Sequence, residues 1–318
     1  MTVTQPHSPG TWRWMGAATV HVTVVGVMLA GALSVAPAHA QHTSPLARVE
    51  ALDLDPAKVG RVTVYFTPAD REHADRLAVL AEETAAYFEG EFGTSFPLHL
   101  AVLNPEDWFD PWTDGDAQAY GEPWGWVQDL LIGVPASLDE GVLIFGPDNE
   151  ADLRRVQFVM LHEFGHLANK QYLHPESQRS YSSVRWFEEF LATYFAYAFV
   201  RARYPSWAEA SHREWVDFIE GYSPPVLSLD WTFMGDLPAQ ERGPTYAWYQ
   251  ILLNLRVATV YEDHGLDFLR QVKSRLVWDQ AGEWTTQSVL STLEEFAPGF
   301  EAWAEELQNG DYLPRNQH

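Results

Sequence analysis

The 318-residue chain contains no cysteine. That excludes disulfides, so the fold has to be held by its core and by any metal it binds. Lysine is nearly absent too, with Lys58, Lys170 and Lys273 the only three. Twenty Lys and Arg face 44 Asp and Glu, a formal net charge of −24. Nucleic acid and anionic membrane surfaces are therefore poor partners. Such a surface suits a salt-rich medium, where screening relieves self-repulsion, as well as it suits ordinary solubility. Internal repeats and low-complexity tracts are missing, and beyond residue 36 no apolar run is long enough to span a bilayer. What is plentiful is hydrophobic surface, 46% of residues with 14 Trp among them, enough for one large domain or two small ones.

Residues 1–40 read as a secretory signal. Arg13 is the positive flank, Met15 to Ala36 is apolar and without formal charge, and Ala38-His39-Ala40 is a small-x-small site before Gln41. An uncleaved anchor over 15–36 is the alternative; both put the rest of the chain outside the cytoplasm. Residues 41–60 read as a linker.

An α/β sheet subdomain is expected over 61–148. Val62, Val64 and Phe66 alternate with Thr63, Tyr65 and Thr67, a strand pattern. Ala74, Leu77, Ala78, Ala81, Ala85, Phe88 and Phe92 recur at helical spacing over 70–92. Pro97 to Leu103, Leu130 to Val134 and Gly141 to Phe145 read as further strands. Between them 104–128 reads as a long ordered loop, with Trp108, Trp112, Trp124 and Trp126 serving as core filler or as a cleft wall. Asp114-Gly115-Asp116 lacks the remainder of a calcium loop. Residues 149–318 read as a helical subdomain, ending in helices over 266–276, 286–296 and 300–308.

The chain's chemistry concentrates at His162-Glu163-Phe164-Gly165-His166, set in an apolar run after the helix-start residues Pro147, Asp148 and Asn149. At about 100° per residue, His162 and His166 stand about 40° apart, one turn above the other. Two imidazoles so spaced can reach one Zn²⁺, leaving Glu163 beside the metal. A carboxylate there can take a proton from a water whose pKa the metal has lowered to about 7. The alternative is a buried helix with incidental histidines, but buried polar groups without partners cost several kcal/mol and a metal would satisfy all three.

A third ligand is needed. Continuing the motif as in metzincins would require Gly and His where Asn169 and Tyr172 stand, and nothing around Met234 makes a methionine turn. Downstream, Trp186-Phe187-Glu188-Glu189-Phe190-Leu191-Ala192-Thr193-Tyr194 resembles the second zinc helix of the gluzincin metallopeptidases, roughly Trp-x-x-Glu-Gly-x-Ala-x-Tyr. The arrangement is similar to peptidase MA-like members and the catalytic domain of aminopeptidase N-type enzymes. By that resemblance Glu189 is the ligand. Its face carries the small residues Ala192, Thr193 and Ala196, whereas Glu188 shares its face with Leu191, Phe195 and Phe199, which would hold it away. The chain departs from the family at Phe190, in place of Gly, and at Thr193, where several members place an Asp that bonds a zinc histidine. The Gly-x-Met-Glu-Asn signature of aminopeptidases is absent, which disfavours exopeptidase activity. Pro244-Thr245-Tyr246-Ala247-Trp248 resembles the family segment whose Tyr donates to the oxyanion, implying that role for Tyr246, with Tyr249 the alternative. His212 and His264 read as surface residues.

The expectation is an exported, α+β, zinc-dependent peptidase: a small mixed sheet, then a helical half, with the site between. His162, His166 and Glu189 would hold one Zn²⁺, Glu163 would be the base, and Tyr246 the oxyanion donor. The rival reading is an exported binding or assembly protein that keeps the fold without turnover. The substrate would be a peptide or protein of undetermined sequence.

Overall fold

Two hydrophobic clusters divide along the alternating faces of one sheet. On β2 (Val62–Phe66) and β3 (Leu98–Leu103), Val62, Val64, Phe66, Leu98, Leu100 and Val102 enter the larger cluster. Tyr65, Ala101 and Leu103 point the opposite way into the smaller one, as the two-residue period of a strand requires. The computed structural model describes residues 43–109, 111, 123–136, 149–173, 184–221, 228–229, 239–276 and 284–309. The expected signal at 1–40, Trp112, Asp114-Gly115-Asp116, the expected strand 141–145 and Met234 lie outside these residues.

Among the described residues the sheet has five strands in the order β1-β2-β3-β5-β4, with β1 (Asp55–Val59), β4 (Trp124–Trp126) and β5 (Leu131–Pro135) completing it. It is mixed: β2–β3 and β3–β5 are parallel, β1–β2 and β4–β5 antiparallel. Helix α2 (Arg71–Phe92) connects β2 to β3 and buries Ala74, Leu77, Ala78, Ala81, Ala85 and Phe88, the stripe its sequence period indicated; Phe92 is only half-buried. It stops at Gly93, whose φ of 72° is the left-handed cap that glycine adopts without cost.

Two segments differ from their sequence reading. The expected linker 41–60 holds helix α1 (Pro45–Glu50) and strand β1. Ser44 caps α1 by accepting from the Ala47 N–H, proline starts it, and Asp129 accepts from the Leu46 N–H at 3.0 Å. Strand β1 has little β-propensity of its own and is organised by pairing with β2; Pro56 is tolerated at this edge. Within the expected loop 104–128, Trp124-Gly125-Trp126 forms β4, an edge strand among the described residues. Trp124 lies over Gly133 of β5, where any side chain would collide with the indole. Trp108, Phe109 and Trp124 fill the smaller cluster, so they serve as core.

The helical half is arranged around α4 (Arg185–Arg203), which from Trp186 to Val200 is buried at every position but Glu188. A helix apolar all round has to sit inside. Around it pack α3 (Asn149–Ala168), α5 (Pro205–Gly221) and α6 (Ala239–His264), followed by α7 (Asp267–Arg275), α8 (Thr286–Glu294) and α9 (Phe300–Asn309). Sheet and helices share the larger cluster. The architecture is α+β, a small mixed sheet followed by a mainly helical region.

Candidate metal centre

Helices α3 and α4 approach unusually closely because residue 165 is glycine: a Cβ there would fall on the Ala192 carbonyl oxygen. This contact sets the turn bearing His162 and His166 against the turn bearing Glu189. One donor atom from each of these three side chains lies within 4.8 Å of the others. Glu189 Oε2 is 3.1 Å from His162 Nε2 and 3.7 Å from His166 Nε2, and the imidazoles meet edge to face. Only 6% of the Glu189 side chain is exposed. Burial pushes its carboxyl up, but hydrogen bonds with His162 and His166, and the charges of His166 and Arg185, hold it well below the ordinary carboxylate range.

The donor set suits a metal for a specific reason. Thr193, one turn after Glu189, donates its hydroxyl hydrogen to Asn254 Oδ1 at 3.3 Å. Toward His162 it must therefore accept, and it lies 3.1 Å from Nδ1. A neutral His162 then carries its hydrogen on Nδ1 and a lone pair on Nε2. At 3.1 Å that nitrogen and the carboxylate oxygen are held together either by a proton on Nε2, which makes the hydrogen bond that lowers the Glu189 carboxyl, or by a metal cation in the proton's place. Bonds of about 2.0–2.2 Å to a tetrahedral ion separate neighbouring ligand atoms by about 3.4 Å, between the two spacings observed. The cluster fits a zincin-type ligand set.

The other residues singled out in the sequence are distributed unevenly about it. Glu163 lies against β4: a Cβ on Gly125 would come within 2.9 Å of its Oε2, so the glycine makes room for the carboxylate. Tyr246 Oη is 3.0 Å from Gln250 Nε2. Tyr249, the alternative, is fully buried and donates to the Leu229 carbonyl at 3.5 Å. Glu188 is outside the three-residue cluster, as its side of the helix implied; it is half-buried and within the electrostatic reach of His166. Burial pushes its pKa up to about 7, against the opposing pull of His166. Phe190 packs in an aromatic group with Trp186, Phe268 and Phe300. His212 is exposed and His264 half-buried; neither belongs to the cluster.

Three contributors escaped the sequence reading. Arg185, one turn before Glu189, places Nε 3.5 Å from the outer oxygen Oε1. Gln250 donates to Glu189 Oε2 at 2.8 Å, and Asn254 reaches Thr193. Tyr246, Gln250 and Asn254 are spaced i, i+4, i+8, one face of α6 turned toward the site. The detectable signal was three polar residues at that spacing in an otherwise apolar stretch.

A solved structure of native yeast LTA4 hydrolase matches 84% of this chain and 40% of its own, with a TM-score of 0.44 and 14% sequence identity. The chain thus spans less than half the length of that structure. No family model and no curated protein matches the sequence.

Proposed function

We propose that this chain is an exported zinc-dependent peptidase of gluzincin type, acting as an endopeptidase on peptide or protein substrates. The reading is carried by the convergence of His162, His166 and Glu189 donor atoms within 4.8 Å, with Glu163 on the same helix. These three side chains would hold one Zn²⁺. The ion would supply Lewis acidity, acidifying a water and polarising the scissile carbonyl. Glu163 takes the proton of the attacking water and passes it to the leaving amine. Tyr246 donates to the oxygen on which negative charge develops, a contact typically worth about 3 kcal/mol of barrier. Strand β4, beside Glu163, offers backbone groups for pairing with an extended substrate.

One feature favours cleavage within a chain over removal of an amino-terminal residue: the sequence lacks Gly-x-Met-Glu-Asn. Export rests on the signal-like residues 1–40; among the described residues, no helix is long and apolar enough to cross a membrane. The test is Glu163→Gln, assayed for zinc content and for cleavage of casein and quenched peptides. Zinc should stay stoichiometric while hydrolysis falls at least about a hundredfold. A fully active variant removes the mechanism.

A further inference from the structure

Gln250 touches two groups to which the proposed reaction gives separate tasks. Its Nε2 lies 2.8 Å from Glu189 Oε2 and 3.0 Å from Tyr246 Oη. The amide's orientation follows from chemistry. A carboxylate only accepts, so nitrogen, not oxygen, must face Glu189. Of the two hydrogens on that nitrogen, one goes to Glu189 and the other to the phenol oxygen. Tyr246 therefore accepts from Gln250, and its own hydrogen has to be donated in another direction. Gln250 is held on α6, one turn beyond Tyr246, with the buried Trp248 and Tyr249 packed between them in sequence.

We infer that Gln250 is a positioning residue that turns the Tyr246 phenol outward as a hydrogen-bond donor while fixing the metal-facing oxygen of Glu189. This rests on the peptidase reading above. One side-chain amide ties the ligand carboxylate to the oxyanion donor, so displacing either group disturbs the other. A glutamate here would set a second carboxyl against Glu189, and the two must share one proton between them; with that proton committed to Glu189, the introduced oxygen can only accept from the phenol, drawing the Tyr246 hydrogen inward. Gln250→Glu, almost identical in shape, is for that reason as informative as Gln250→Met, which removes both hydrogen bonds.

The test measures zinc affinity by chelator competition, and kcat and KM on a quenched peptide, for wild type, Gln250→Met and Gln250→Glu. The two substitutions are repeated in a Tyr246→Phe background. Both should lower kcat about a hundredfold with KM within about threefold, matching the loss of one oxyanion donor. In the Tyr246→Phe background the further loss should be under about threefold, because the phenol through which Gln250 acts is gone. Gln250→Met should also weaken zinc about tenfold in both backgrounds. Equal kcat losses in both backgrounds, or an undiminished kcat in the Gln250→Glu protein, overturn the phenol role. Unchanged zinc affinity overturns the Glu189 role and leaves the peptidase reading standing. Absence of hydrolysis by the zinc-loaded wild type removes that reading and the phenol role with it, while the zinc titration still decides the Glu189 contact.

Discussion

Thr193 Oγ1 lies 3.1 Å from His162 Nδ1 and passes its own hydrogen to Asn254. A neutral relay thus stands behind the His162 imidazole. It orients the ring and selects its tautomer without adding charge to the cluster. Thr193→Val keeps the shape and leaves a buried ring N–H without its acceptor. Zinc affinity should fall about 10- to 100-fold by chelator competition, with Asn254→Leu producing a smaller loss in the same direction. Equal affinity in wild type and Thr193→Val would show that the hydroxyl has no influence on the ligand.

Gly125 of β4 leaves the space occupied by the Glu163 carboxylate. Gly125→Val suits a strand, so the sheet should persist, but its side chain must displace the carboxylate. Hydrolysis should fall at least about tenfold at constant zinc content. The matching control is Gly133→Ala, where the collision is with Trp124; there the loss should appear in the urea midpoint instead. Full activity in Gly125→Val would separate Glu163 from the chemistry.

Glu294, in the last turn of α8, accepts hydrogen bonds from the backbone N–H groups of Gly299 at 2.9 Å and Glu301 at 3.1 Å, at the start of α9. These bonds hold its carboxyl below the ordinary value of 4.5. The folded state therefore binds this proton less readily than the unfolded chain, so the stabilisation is complete above pH 4.5 and disappears as pH falls through the folded value. Glu294→Gln should cost about 1 kcal/mol at pH 7, the usual scale of a helix cap, and progressively less on acidification below pH 4.5. Urea denaturation at pH 7 and pH 3.5 measures both; a pH-independent difference would contradict the cap.

Much of this arrangement was legible because its signals are periodic. The α2 stripe, the alternation of β2 and the one-turn spacing of His162 and His166 follow directly from 3.6- and 2-residue repeats. The approach of Glu189 could be read from Ala192 and Ala196 beside it, although the deciding contact, Gly165 against Ala192, depends on the packing of two helices. Strands β1 and β4 were not legible. Asp55-Pro56 and the three-residue Trp124-Gly125-Trp126 carry weak local preferences and are strands because β2 and β5 supply the hydrogen bonds. Gln250 and Asn254 went unread because their importance arises only when α6 is laid across α4.

Two imidazoles on α3 and one carboxylate on α4 are proposed to bind a single Zn²⁺. Elemental mass spectrometry on purified wild type and Glu189→Ala, each equilibrated with limiting chelator, tests it most directly. One zinc per wild-type chain and a substoichiometric amount in the Glu189→Ala protein are expected; equal zinc content in the two would remove Glu189 from the ligand set.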